Sequence, residues 1–135
     1  MKTKFEVKAE ICLKLSQQDI DDIMVAALEG GINYWAGEAE VIEEKRVAAW
    51  GHEQIARGGV LMIHDIEDPD EVWELNLEKF LKGFKLWIEK DGGYAICVKE
   101  DNGNIDANSI DTFNIDAGCA DAIIQYALFG EVIYG

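Results

Sequence analysis

Two histidines are the residues of this sequence best suited to proton transfer near neutral pH, and neither stands in a catalytic pattern. His64 is followed by Asp65, so this pair could act as a general base and the acid that orients it. However, no Gly-x-Ser-x-Gly sequence marks a nucleophile, and His52 and His64 lack the His-x-x-x-His spacing of a zinc-binding helix. We therefore predict a protein that is not an enzyme and that has no metal site and no cofactor.

Carboxylates greatly outnumber bases and could hold a basic partner by electrostatic attraction. The 135 residues include 27 Asp and Glu against 12 Lys and Arg, for a formal net charge of −15. No base occurs between Asp65 and Glu78, and Pro69 marks this stretch as a turn. The predicted partner-binding residues are Asp65, Glu67, Asp68, Asp70 and Glu71, with Asp101, Asp106 and Asp111 as a second set.

The distribution of charge excludes some partners and favours others. The first 15 residues have four lysines and two glutamates, a net charge of +2, which leaves −17 for the rest of the chain. Such a surface repels nucleic acids and anionic membranes, and it attracts basic proteins, including those whose grooves bind nucleic acid. Alternatively, the acidity serves only to keep the protein soluble.

Three aromatic residues and one arginine suggest a different function, the binding of a small nucleotide. Tyr34, Trp35 and Trp50 lie in segments without clear periodicity, where aromatic rings could stack on a base, and Arg57 could contact a phosphate. The alternative is that Tyr34 and Trp35, which directly follow a helix end, close the hydrophobic core. A third hypothesis is a structural protein that forms homo-oligomers through its aromatic stripe.

Hydrophobic periodicity predicts the elements that position these residues. Residues 5–15 alternate between apolar and polar, which is typical of a half-buried strand. A helix should then begin after Ser16, with Asp19 completing a capping box, and end where Gly30 or Gly31 adopts a left-handed conformation.

Further along the chain, two more helices and several strands are expected. Asn76 and Asp116 are predicted helix caps, Gly92 and Gly130 predicted helix ends, and DNGN at 101–104 a turn. Short strands are predicted around residues 40–43, 60–66, 72–76, 94–98 and 131–134. The pattern indicates an α+β fold: one compact domain over residues 1–135, with three helices packed on a small antiparallel or mixed sheet of about four to five strands.

Cysteine usage and hydropathy bear on the cellular compartment. Cys12, Cys97 and Cys119 are odd in number and lack Cys-x-x-Cys spacing, so we expect buried thiols rather than disulfides or a zinc site. No apolar run approaches the roughly 18 residues that cross a bilayer, and the charged, alternating N-terminal residues are unlike a signal peptide. A cytoplasmic location is expected.

Four segments carry a resemblance to a group of proteins. They are ALEGGINYW, IARGG, LNLEKFLKGFKLWIE and IDAGCADAIIQYALFGEVIYG. Together they resemble small, acidic, uncharacterised proteins of phages, prophages and mobile elements of Gram-positive gut bacteria. The resemblance covers most of the chain and implies no catalytic residues. It implies an accessory protein that counters host defence, either by occupying the nucleic-acid site of a defence protein or by sequestering a nucleotide signal.

Overall fold

The computed structural model describes residues 4–135, which contain four α-helices and five strands. The helices are α1 (Gln17–Ala26), α2 (Leu77–Lys90), α3 (Gly93–Cys97) and α4 (Ala117–Phe129). The strands are β1 (Ala36–Val41), β2 (Leu61–Asp65), β3 (Val72–Leu75), β4 (Val98–Asp101) and β5 (Asn104–Ile110). In this part of the chain no helix is both long and apolar enough to span a bilayer.

The protein is an α+β protein whose strands form two antiparallel sheets rather than the single sheet expected. One sheet has the order β1-β2-β3, and the other is the hairpin β4-β5. In the first sheet His64 lies opposite Glu38 on β1 and Val72 on β3. Since side chains alternate between the faces of a strand, His64 shares the outer face with Glu38 and Val72, whereas Leu61 and Ile63 are buried beneath.

Close packing of α2 against α4 forms the centre of the core. Phe80 and Trp87 of α2 and Ile123 of α4 are buried. The two helix backbones meet at Gly83, where a Cβ atom would lie 2.5 Å from the backbone nitrogen of Ala127. Only glycine permits this approach, because a Cβ would meet backbone atoms that cannot rotate away.

The predicted helix caps are confirmed. The Ser16 hydroxyl accepts from the backbone N–H of Asp19 (3.0 Å), and the Asp19 carboxylate accepts from the N–H of Ser16 (2.9 Å). The Asn76 and Asp116 side chains accept from the third residue of α2 and of α4, respectively. Helix α4 ends at Gly130, whose φ of 73° is left-handed.

The end of α1 differs from the prediction. The helix continues into a π-helical turn over Ala27–Gly31, in which Gly30 has an extended φ of 174° rather than a left-handed one. Gly31 is required for a different reason: a Cβ there would lie 2.7 Å from the carbonyl oxygen of Ala117, at the start of α4. Gly31 therefore permits the close packing of this turn against α4, whereas a Cβ at Gly30 would meet no atom within 4 Å.

The predicted N-terminal strand is wrong for the described residues 4–15, which we call the N-terminal arm. The arm has no regular secondary structure, and Phe5 and Val7 are 95% and 91% exposed. It contacts β5 near Asn108, whose carbonyl accepts from the N–H of Lys14 (2.8 Å) and whose side-chain amide donates to the Cys12 carbonyl (2.8 Å). Alternation predicts a strand only where a neighbouring strand completes the ladder, and here such pairing stops after one residue.

Two other short strand predictions are also wrong. Residues 94–98 contain most of α3, which packs Gly93 against the Trp87 ring, and residues 131–134 are irregular. Apolar runs of four or five residues do not distinguish a strand from a helical turn. By contrast, the strands predicted at 60–66 and 72–76 are confirmed as β2 and β3, and the strand expected at 40–43 lies earlier, as β1.

Candidate partner-binding surface

The predicted acidic residues 65–71 form the connection between β2 and β3, which we call the acidic loop. The Asp65 carboxylate accepts hydrogen bonds from the backbone N–H groups of Glu67 (2.7 Å) and Asp68 (3.0 Å). The Asp68 side chain in turn accepts from the N–H of Asp70 (3.2 Å). These Asx turns give the loop a defined conformation, and the hydrogen bonds from Asp68 and Glu67 lower the pKa of Asp65.

The members of the acidic loop therefore differ in role. Asp65 is partly buried and organises the loop, with a further hydrogen bond from the Tyr134 hydroxyl (3.0 Å). Four acids are exposed: Glu67, Asp68, Asp70 and Glu71. Within residues 4–135, no lysine or arginine forms a salt bridge with any of the five acids of the loop. Their charge is available to an external partner.

His64 fastens the acidic loop to the sheet. Its Nδ1 lies 2.9 Å from the carbonyl oxygen of Pro69, and its Nε2 lies 2.9 Å from a carboxylate oxygen of Glu40. Both partners are hydrogen-bond acceptors, so the two contacts together favour the imidazolium form, in which both ring nitrogens donate. The bonds to Pro69 and Glu40 accordingly raise the pKa of His64. His64 therefore holds the acidic loop against β1 through contacts at both ring nitrogens.

The outer face of the sheet extends the negative surface. Glu38 and Glu40 of β1 and Glu74 of β3 share this face with His64, by strand register. Bases also lie on or beside this face: His64 is paired with Glu40 (2.9 Å), and the Lys79 ammonium donates to the backbone carbonyl of Glu74 (2.7 Å). The acidic loop together with Glu38, Glu40 and Glu74 is called the acidic face below.

The second set of predicted partner-binding acids lies elsewhere. Asp101 and Asp106 belong to the exposed β4-β5 hairpin, on the other sheet. Asp111 is partly buried and accepts a hydrogen bond from the N–H of Phe113 (3.0 Å), as the cap of a short 3₁₀ turn. The structure therefore does not join this set to the acidic loop, and Asp111 already has a structural role.

Trp35 closes the core instead of lining a ligand pocket, whereas the neighbouring Tyr34 is 52% exposed. Trp35 is 2% exposed, its indole N–H donates to Asp121 (2.8 Å), and its ring stacks on Tyr134 at 4.9 Å with an interplanar angle of 2°. The Tyr34 hydroxyl donates to the other oxygen of Asp121 (2.6 Å). Burial of the hydroxyl and this bond raise the pKa of Tyr34 to about 12. The buried Trp35 ring has no face left for a nucleotide base.

Of the other two predicted ligand-binding residues, Arg57 is paired within the chain and Trp50 is exposed. The Arg57 guanidinium makes a two-pronged salt bridge with the buried Asp21 (2.9 and 3.1 Å) and lies 3.9 Å from Glu53. Its hydrogen bond with Asp21 raises the pKa of Arg57. Trp50 is 66% exposed. Since two carboxylates already neutralise Arg57, it is poorly placed to hold a phosphate.

The polar network around Gln125 was not predicted from the sequence. This buried side chain accepts from the backbone N–H groups of Ile133 and Tyr134 (2.8 Å each) and donates to Asp121 (2.9 Å). It thereby secures the C-terminal residues, including the Tyr134 that contacts Asp65. One signal was available: Gln125 interrupts the apolar run AIIQYAL, where a polar side chain must find buried partners.

The three cysteines are free thiols that differ in burial. Cys97 is buried, which raises its pKa to about 11, and Cys119 is partly buried with a raised pKa. Cys12 is exposed, so the expectation of buried thiols is wrong for this residue, which lies in the N-terminal arm. In the described part of the chain, no three His, Cys, Asp or Glu side chains are grouped as metal ligands.

The comparisons with known proteins identify no relative. No protein family model, no curated protein and no solved structure matches this chain.

Proposed function

We propose that this is a non-enzymatic protein that binds a basic partner protein through the acidic face. The observation that carries this proposal is the acidic loop, which has five carboxylates within seven residues. Its backbone is held by hydrogen bonds to the Asp65 and Asp68 side chains, and its acids form no salt bridge with a lysine or arginine of the described chain. A chain that needed acids only for solubility would have no need to hold them in an organised loop.

Preorganisation is the physical basis of the expected affinity. Ordering a loop on binding costs free energy. Here the Asx turns at Asp65 and the hydrogen bonds of His64 order the loop when the protein folds, so this cost does not reduce the affinity for the partner. The net charge of −15 steers a cationic partner toward the protein, which makes association fast and sensitive to salt. The same charge opposes direct binding to nucleic acids and to anionic membranes.

Within this function, we propose that the partner is a nucleic-acid-binding defence protein of a bacterial host. A groove that binds phosphates presents the positive charge that complements the acidic loop. The resemblance to small acidic phage and mobile-element proteins supports an anti-defence inhibitor that occupies such a groove. The cytoplasm, where such defence proteins act, is the proposed location.

A comparison of two neutralised variants tests the proposal. The loop variant combines Glu67→Gln, Asp70→Asn and Glu71→Gln, and leaves Asp65 and Asp68 to maintain the loop conformation. The control combines Glu29→Gln, Glu44→Gln and Glu131→Gln, which are exposed acids outside the acidic face, so the two proteins have the same net charge. Each is used to capture proteins from a nuclease-treated host lysate at low and moderate salt.

The expected result is a captured nucleic-acid-binding protein that salt releases and that DNA or RNA displaces. The loop variant should retain less than about a tenth of the captured protein, since each desolvated charge pair contributes on the order of 1 kcal/mol. The control should retain most of it. Equal losses in both variants would show that net charge alone matters, and would contradict a defined binding surface.

Nucleotide sequestration is less well supported by the contacts. Trp35 stacks on Tyr134 inside the core, and Arg57 is paired with Asp21. If the loop variant still captured its partner, titration with nucleotides and measurement of tryptophan fluorescence would become the next experiment.

A further inference from the structure

We propose that the N-terminal arm pairs with the arm of a second copy of this chain, as an antiparallel two-stranded ribbon centred on Val7. The arm displays Phe5 and Val7 at 95% and 91% exposure, and Ile11 at 54%. The arm has no regular secondary structure of its own, and exposed apolar side chains that alternate with polar ones along such a segment are available for strand pairing. The proposal is independent of the proposed function, because it uses no residue of the acidic face.

Charge complementarity selects a second copy as the partner of the arm. Its polar positions alternate in sign: Lys4, Glu6, Lys8 and Glu10. In an antiparallel pair with Val7 opposite Val7, Lys4 of one arm lies opposite Glu10 of the other, and Glu6 lies opposite Lys8. The two-fold axis repeats both pairs, which gives four opposite-charge pairs and no like-charge pair.

The two neighbouring registers with the same apolar face place like charges opposite each other. A slip by two residues in one direction centres the ribbon on Glu6 and places Glu6 opposite Glu6 and Lys4 opposite Lys8. A slip in the other direction centres it on Lys8 and places Lys8 opposite Lys8 and Glu6 opposite Glu10. Like charges directly opposite each other destabilise a strand pair. Of these three registers, only the one centred on Val7 places opposite charges opposite each other at all four polar positions.

The overall charge of the protein also favours the arm as the contact. Two molecules that each have a net charge of −15 repel each other, and the first 15 residues are the part with a net charge of +2. An interface made by the two arms joins the copies through their least negative segments, with the remaining repulsion screened at physiological salt.

A groove beside the arm accommodates the opposing aromatic ring. The groove has a volume of about 600 Å³ and lies between the arm and α2, with Ala9, Ile11, Leu81, Phe84 and Ile88 in its lining. On the apolar face of the ribbon, the register that pairs the charges puts Phe5 of the second copy opposite Ala9. The large Phe5 ring of the second copy thus packs beside the small Ala9 side chain at the groove, where it is shielded from water. The groove therefore offers an apolar site for Phe5 in the register that pairs the charges.

Charge reversal in the arm tests the ribbon. One variant combines Lys4→Glu and Lys8→Glu, which makes all four polar positions acidic. The other combines Glu6→Lys and Glu10→Lys, which makes them all basic. We expect the wild-type chain to dimerise in sedimentation experiments between about 1 and about 300 µM at physiological salt, the range for a small interface. Each variant alone should be monomeric there, and an equal mixture should form the heterodimer.

The controls separate arm pairing from general charge effects. The two variants change the net charge by four units in opposite directions, so loss of the dimer in both cannot come from overall repulsion. Lys45→Glu with Lys82→Glu, at exposed sites outside the arm, should leave the dimer intact. A monomeric wild type, a dimer that survives in either arm variant, or a mixture that stays monomeric would overturn the proposal.

A second measurement tests the placement of Phe5. Phe5→Ser should weaken dimerisation at least tenfold, whereas Phe5→Leu should weaken it only slightly. Ile105→Ser, at an exposed position of β5, removes a comparable apolar side chain outside the arm and should change the dissociation constant less than about twofold. Equal effects of Phe5→Ser and Ile105→Ser would overturn the role of Phe5.

Discussion

Replacement of Gly83 by alanine should destabilise the protein, although alanine favours a helix. Alanine in a helix interior is normally more stable than glycine by about 1 kcal/mol. At Gly83, however, the added Cβ would lie 2.5 Å from the backbone nitrogen of Ala127 and 2.6 Å from the backbone oxygen of Ile123. Because these atoms belong to α4 itself, the two helices must move apart.

The size of the effect follows from these opposing contributions. Overpacking in a core costs typically 1–3 kcal/mol, and a contact with backbone atoms on a facing helix belongs in the upper part of that range. After the gain in helix propensity, we expect a net loss of about 2 kcal/mol in the free energy of unfolding. For a chain of this size, the midpoint of thermal unfolding should then fall by roughly 8 °C.

Gly118→Ala is the matched control, since it is also a glycine-to-alanine change in a helix. The nearest atom to a Cβ at Gly118 is a side-chain oxygen of Asp116 at 3.4 Å, an ordinary contact. Urea unfolding followed by circular dichroism should therefore show Gly118→Ala as stable as the wild type or slightly more stable. If Gly83→Ala were also as stable as the wild type, the close approach of α2 to α4 would be refuted.

Three further predictions concern the polar contacts and the thiols. His64 has a raised pKa in the folded protein, so its contribution to stability is complete below its unfolded pKa of about 6.5 and is lost as the pH rises through the folded value. Urea unfolding at pH 6 and pH 8.5 should show a larger decline for the wild type than for His64→Gln, and equal declines would contradict the doubly bonded imidazolium. Trp35→Phe removes the donor to Asp121 and should cost on the order of 2 kcal/mol in chemical denaturation, more than Trp50→Phe at its exposed site; similar costs would argue against the buried hydrogen bond. In a thiol-reagent assay at pH 8, Cys12 should react rapidly and the buried Cys97 only on unfolding, and rapid modification of both would contradict the packing around Cys97.

Elements whose signals are local could be predicted from the sequence. Helices α1, α2 and α4 each combine a capping side chain with an apolar stripe, as at Ser16, Asn76 and Asp116, and the structure has all three. β2 begins with the apolar run VLMI at residues 60–63, which indicates a central strand. These features depend on residues close together in the chain, so neighbouring residues were sufficient to identify them.

Features that depend on distant residues could not be predicted in the same way. The arm at residues 4–15 alternates as a strand does, but a strand also needs a partner that the pattern does not reveal. Likewise, the partnership of Trp35 with Asp121 spans 86 residues, and that of Arg57 with Asp21 spans 36. Their residue types indicated that Trp35 and Arg57 could bind a ligand. In the fold, each of them binds an aspartate of the same chain instead.

The sequence indicated which acids lie together in the candidate surface, but it did not indicate the contacts that hold the loop in place. The acids between Asp65 and Glu71 were evident because no base separates them. That Asp65 is an organiser of the loop, and that His64 joins the loop to Glu40, depends on backbone geometry and on strand register. Such contacts connect side chains to backbone groups, which sequence patterns do not specify.

The stacked rings of Trp35 and Tyr134 give the acidic loop an internal optical reporter. Tyr134 lies against the Trp35 indole and also donates its hydroxyl to Asp65, so one aromatic side chain touches both the core chromophore and the loop. A partner that draws Asp65 away from Tyr134 would change the surroundings of the indole and therefore its emission. Engagement of the loop could then be followed by the protein's own fluorescence, without a label on either molecule.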